Sequence, residues 1–223
     1  MSQMGLSLDL FVDVAKLHFS QKFAGKDCGD LLGKNLQSFI EILLRELGVG
    51  EKPIIKGKVH PQAIVEGMVF VAEGAEIEAT ALVRGPCYIG PDAEVRHGAY
   101  IRGHVYVGAR AVVGHTTEAK GSVFLDDAKA GHFAYVGDSI LGIDCNLGAG
   151  TKLANLKLDH RNIAVRHPET GKKVDTGLRK FGAVVADGVQ IGCNAVLSPG
   201  SLLMKGSMIM PCHHHFGTLK PKG

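Results

Sequence analysis

The chain has no tryptophan, only 6% aromatic residues, and no pair of cysteines at C-x-x-C spacing. Its five cysteines (Cys28, Cys87, Cys145, Cys193, Cys212) are an odd number and widely spread. That pattern excludes a disulfide or zinc framework and predicts reduced thiols, at least four of them small core residues. No apolar run approaches the roughly 18 residues of a membrane span, and residues 1–25 lack the basic-then-apolar pattern of a signal peptide. A cytoplasmic protein without a membrane partner is expected. The net charge of +3 over 223 residues is too small to point to nucleic acid. It is unevenly spread, however. Residues 152–180 carry eight Lys/Arg against three acids, a local basic arm suited to a small anion such as a phosphate or a phosphorylated cofactor, or simply to solvent.

What the chain has in excess is glycine, 30 residues without a Gly-X-Y period, implying many tight turns. The turns are periodic. From Val59 every sixth residue is β-branched and apolar: Val59, Val65, Val71, Ile77, Val83, Ile89, Val95, Ile101, Val107 and Val113. A mostly small residue follows each by four positions, as in Ala63, Ala75, Ala81, Cys87, Ala93 and Ala99. The six-residue register returns at Leu141, Leu147 and Leu153, and again at Val185, Ile191, Leu197, Leu203 and Ile209. A period of six fits neither an amphipathic helix nor hairpins; it is the signature of a parallel β-helix of hexapeptide repeats, mainly β. Residues 51–215 are assigned to it, and 216–223 to a tail.

Two stretches leave the register: residues 128–140 lose the phase, and 154–182 form a polar excursion loop. Interruptions of a regular scaffold are where function is placed. Residues 1–50 differ in kind. LSLDLFVDVAKLHF and CGDLLGKNLQSFIEILLREL have apolar residues at three-to-four spacing, predicting two helices that cap the open end of the solenoid or help it trimerise.

Among eleven histidines, His132 stands apart because it lies at the phase break. Its segment KAGHFAYVGDSILGIDCNLGAGT (129–151) closely resembles the acetyltransferase domain of the bifunctional glucosamine-1-phosphate acetyltransferase/N-acetylglucosamine-1-phosphate uridyltransferase family. ANLKLD (154–159) and GKKVDTGLRKFGA (171–183) resemble the related archaeal sugar-1-phosphate nucleotidylyltransferases. The likeness spans roughly residues 85–211. It implies a left-handed β-helix, usually trimeric, with acetyl-CoA as co-substrate and an amino-sugar phosphate as acceptor.

Residue by residue, the resemblance makes His132 the general base, Glu118 the carboxylate that orients it, and the Ala149 N–H the donor to the thioester oxygen. A neutral imidazole accepts a proton from an amine without prior ionisation, and a preorganised N–H matters most where negative charge develops. Tyr135, Asn146 and Asn155 match sugar contacts, and Lys120 matches the phosphate-binding lysine. Lys180 aligns with a further pocket lysine. Two arginines compete for the phosphate: Arg102 by its place one coil below Lys120, Arg96 by its local R-x-G motif. On an 18-residue coil Arg84, Arg102 and Lys120 fall on one edge, with Glu66 the only acid read beside them, so the column is expected to need an anion.

The chain also departs from the family. Leu156 stands for a tyrosine, Cys193 for a serine beside the thioester, and Pro211 for an alanine lining the cofactor groove. The Gly-rich N-terminal motif of that family is missing from residues 1–50, where helices are expected instead. GAGTK lacks P-loop spacing, and no metal is required; His213, His214 and His215 beside Cys212 sit on an extended strand that aims neighbours to opposite faces. The leading expectation is N-acetyl transfer from acetyl-CoA to glucosamine-1-phosphate or a related amino-sugar phosphate by direct amine attack, in nucleotide-sugar biosynthesis. The alternative is a non-catalytic trimeric binding or assembly module that partners a separate nucleotidyltransferase.

Overall fold

The computed structural model describes residues 4–221, so residues 1–3 of the N-terminal segment and 222–223 of the tail lie outside the described residues. The repeat forms a left-handed parallel β-helix with three flat faces, each a parallel sheet of two- to four-residue strands. The first face holds nine strands, from Ile54–Ile55 to Thr218–Leu219, and the second and third hold eight each. Inward positions are the β-branched and aliphatic residues of the repeat: Val71, Ile89 and Val107 on the first face, Ile77, Val95 and Val113 on the second, Val83, Ile101 and Leu153 on the third. All are buried. Continuous coil-to-coil pairing satisfies the backbone, and small residues such as Ala75, Ala93 and Ala111 fill the crowded interior corners.

The apparent phase loss at 128–140 is not a departure from the coil. Lys129–His132 and Tyr135–Gly137 are ordinary rungs of the second and third faces. The cause is one missing residue at the corner between the third and first faces, where inward positions Ala119 and Phe124, then Val136 and Leu141, are five apart instead of six. At the same corner of the next coil, the chain leaves after Leu153 for the excursion and returns at Ala183–Val185. That loop carries an antiparallel hairpin, Ala164–Arg166 with Lys173–Asp175, and closes through a bridge between Leu156 and Lys180. Ile163 and Val165 anchor it by burial. Thr218–Leu219 adds a ninth rung to the first face, so the coil continues past residue 215, into what was expected to be tail.

The N-terminal segment departs from the helical reading. Its first half is 3₁₀ turns at Leu8–Leu10 and Val14–Lys16 followed by one helical turn, α1 (Ser20–Phe23). The second half is a 3₁₀ turn, Cys28–Leu31, and a true helix, α2 (Gly33–Glu46), whose Leu36, Ile40, Leu43 and Leu44 are buried. The segment lies along the first face rather than over an end of the coil. The reason is a column of outward-facing apolar residues, Phe70, Tyr88, Tyr106, Val123, Ile140, Val184 and Leu202, every one buried. Phe23 meets Tyr106 edge-on at 5.2 Å between ring centroids, and Phe19 meets Tyr88 at 5.6 Å.

Candidate functional site

The corner between the second and third faces stacks one residue per coil. Register and hydrogen bonding place His97, His115, His132, Ala149, Cys193 and Pro211 in that column. The predicted base, the predicted oxyanion donor and the two predicted cofactor contacts therefore share one edge in ascending order. Gly150 N–H donates to the His132 carbonyl at 3.1 Å, Asn194 N–H to that of Ala149 at 2.8 Å, and Cys212 N–H to that of Cys193 at 2.8 Å. Among the described residues the Ala149 N–H has no acceptor, which leaves it available to a ligand. Beside this edge the second face carries Gly114, Gly131, Gly148 and Gly192 in one file, a shallow trough free of side chains. His97 and His115 were passed over as ordinary histidines. Their rings stack at 5.4 Å, and His115 Nδ1 lies 3.0 Å from the His97 carbonyl, to which it donates.

The third face and its far corner hold the other predicted residues. Glu118 sits beside Tyr135, and Arg102, Lys120 and Arg84 form the column expected from the 18-residue coil. The expectation that Glu66 is the only acid beside this column is corrected. Arg84 pairs with Glu66 at 2.6 Å, Arg102 with Glu118 at 2.6 Å, and Lys120 with both oxygens of Asp138 at 2.9 Å. Each cation thus has its own carboxylate, and Glu118 accepts from Arg102 rather than from His132. Asp138, missed in the sequence, is the hub: 6% exposed, it accepts from Lys120 and from the Asn155 amide. Its signal was its place 18 residues above Lys120. Burial, then Asp138 and Glu118, push the Tyr135 phenol upward and keep it a donor.

Of the competing arginines, the structure brings Arg102 to this network, while Arg96 stands on the second face bound to Glu94 at 2.7 Å. Asn146 is also on the second face, beside Lys129. Lys180 and Leu156 close the base of the excursion. With Lys34, Lys120, Asp138 and Arg179 they line a cleft of about 760 Å³ whose other wall is the start of α2. Of the cysteines, Cys28, Cys87 and Cys145 are buried, while Cys193 and Cys212 are exposed on the upper edge, which corrects the expected count of four core thiols. Among the described residues no three His, Cys, Asp or Glu side chains converge in metal-binding fashion, and no helix is long and apolar enough to cross a membrane.

A triangular coil of hexapeptide rungs, with one residue of each coil stacked along each edge, defines a left-handed β-helix of the hexapeptide-repeat class. The family model for the GMPPB C-terminal domain matches residues 83–191. A bifunctional protein GlmU from Methanococcus aeolicus is 37% identical over 158 residues, covering 71% of this chain and 38% of the relative. A bifunctional sugar-1-phosphate nucleotidylyltransferase/acetyltransferase from Sulfurisphaera tokodaii is 37% identical over 89 residues, 40% of this chain and 22% of the relative. The β-helix is thus homologous to that of the bifunctional sugar-1-phosphate nucleotidylyltransferase/acetyltransferases, as the sequence resemblance implied. The chain matches well under half the length of these relatives. A solved hexapeptide transferase family protein from Anaplasma phagocytophilum aligns over 77% of this chain and 80% of its own at 17% identity and a TM-score of 0.29, too distant to carry an argument.

Proposed function

We propose that the chain is an N-acetyltransferase that moves acetyl from acetyl-CoA to the amine of glucosamine-1-phosphate or a related amino-sugar phosphate. The observation that carries this reading is the single edge on which His132, the unengaged Ala149 N–H and Cys193 succeed one another. His132 takes the amine proton as nitrogen attacks the thioester carbonyl, and Ala149 N–H stabilises the developing oxyanion. Collapse of the tetrahedral intermediate breaks the C–S bond and expels CoA thiolate, which takes the proton back from the imidazolium and leaves as the thiol. Cys193 and the trough of Gly148 and Gly192 receive the acyl arm, and Pro211 bounds it above. Tyr135 and Asn155 orient the sugar, and Lys120 with Arg102 and Lys180 holds its phosphate. A phosphate draws Arg102 away from Glu118, and the released carboxylate then turns to the imidazole as its orienter. Direct attack needs no metal, and a homotrimer in the cytoplasm completes the reading.

The alternative, a trimeric binding module beside a separate nucleotidyltransferase, draws on two features. Pro211 offers no N–H to a ligand, and Lys120 and Asn155 are already engaged by Asp138. The experiment that separates the readings is thiol release from acetyl-CoA with glucosamine-1-phosphate and galactosamine-1-phosphate, using wild type and His132→Ala. Turnover that falls at least 100-fold in the variant is expected. Absence of turnover with either acceptor in folded protein moves the assignment to the binding module.

A further inference from the structure

The 760 Å³ cleft beside the Lys120 corner draws its walls from three places far apart in the chain. Lys34, Asn35 and Gln37 come from α2, Lys120 and Asp138 from the shortened corner, and Arg179 and Lys180 from the excursion loop. Four cations and one carboxylate line it, and that carboxylate is already bonded by Lys120 and Asn155. Among the described residues neither Lys34 nor Lys180 has a carboxylate within ion-pairing reach, whereas Arg84, Arg96, Arg102 and Arg110 on the coil each have one. Those four coil arginines are paired with acids, whereas Lys34, Arg179 and Lys180 face this cleft without a carboxylate partner among the described residues. Like charges facing one cleft repel and are relieved by a multivalent anion. Leu32, Leu156 and Leu178 give the same cleft apolar walls, a surface for the uncharged part of a phosphorylated ligand.

We propose that this cleft binds the phosphoryl end of the acceptor and that Lys34, from the N-terminal segment, is part of the grip. Residue 34 lies outside the region matched by the family model, so the contact is a property of this chain's own N-terminal cover. The proposal rests on the acceptor reading given above for the ligand's identity, but not for the anion chemistry. A phosphate monoester and the pyrophosphate of a nucleoside-diphosphate sugar share that chemistry, and the cleft has volume for either.

The test is calorimetric binding, without acetyl-CoA, of three probes to the full chain: inorganic pyrophosphate, glucosamine-1-phosphate and UDP-glucosamine. Lys34→Ala is expected to weaken the best-bound probe about tenfold and to flatten its salt dependence, and Lys34→Arg to restore most of the affinity. The two sugar probes distinguish a monophosphate from a nucleotide acceptor by which binds more tightly. Lys34 is exposed, so folding is preserved, and circular dichroism verifies it. Unchanged affinity in Lys34→Ala, with affinity lost in Lys120→Ala, overturns the role of Lys34. Failure of all three probes to bind wild type overturns the cleft. The result with Lys34→Ala leaves the transfer reading untouched; turnover of glucosamine-1-phosphate that collapses in His132→Ala upholds that reading even where the cleft binds no probe.

Discussion

Replacing Asp138 by Asn tests whether the candidate site is held together by one buried carboxylate. Asp138 takes two hydrogen bonds from Lys120 at 2.9 Å and one from Asn155, with its side chain 9% exposed and that of Lys120 26% exposed. Charge-assisted bonds contribute about 1.5–3 kcal/mol each in mutational series. Removing one partner of a fully buried pair costs about 3–5 kcal/mol, and this pair is only partly buried. Asp138→Asn keeps one acceptor but turns an amide toward the ammonium, so a loss of about 2–3 kcal/mol is expected. For a chain of this length that lowers Tm by about 4–7 °C. The assay is a double-mutant cycle with Lys120→Met, read by denaturant unfolding. With both partners gone no charge is left unpaired, and the double variant should be at least about 1.5 kcal/mol more stable than the two single losses added together. Additivity to within about 0.5 kcal/mol refutes the hub.

Two further outcomes follow from the geometry. Burial lowers the His104 imidazole at the same corner and likewise His215, so the unfolded chain takes up the proton first. Stability is therefore complete above about pH 6.5 and falls as the pH drops below it; His104→Gln should flatten the slope measured between pH 5 and 7, and an unaltered slope contradicts the assignment. Gly114 and Gly131 stack on the second face yet differ in kind: a methyl at Gly114 would overlap the Gly131 carbonyl, whereas one at Gly131 meets nothing within 4 Å. Gly114→Ala should lower Tm by several degrees and Gly131→Ala leave it nearly unchanged, and equal shifts would contradict this packing.

The coil was legible because hexapeptide spacing is a one-dimensional signal: Val59 to Val113 each face inward, as read. The candidate edge was legible through local motif: His132, Ala149, Cys193 and Pro211 stack on one corner, whereas Glu118 stands on the third face. Pairing across coils was harder, because an acid that neutralises a cation sits 16 to 18 residues away and reads as scattered charge. Asp138 and the Arg102–Glu118 pair were missed for that reason. Residues 128–140 were read as a break because deleting one residue at a corner shifts the register without disturbing the inward alternation. The N-terminal cover was misread in placement, since its own periodicity says only that one side is apolar. The answer lay in Phe70, Tyr88 and Tyr106, 18 residues apart, a file of outward aromatic side chains that the N-terminal segment buries.

That cover also alters how the molecule comes apart. A solenoid in which each coil touches only its neighbours unravels from its ends in small steps. Here α2 packs against the Cys87–Ile89 rung, the His18 amide bonds Asp126, and Asp13 and Phe11 bond Asp187. One short stretch of chain thus ties together coils spread over 100 residues of sequence, on both sides of the excursion. Opening any one of those coils strains its attachment to the others. The region carrying His132 and Ala149 lies inside this tied block, so it melts with the block as a unit while the outermost rungs fray first.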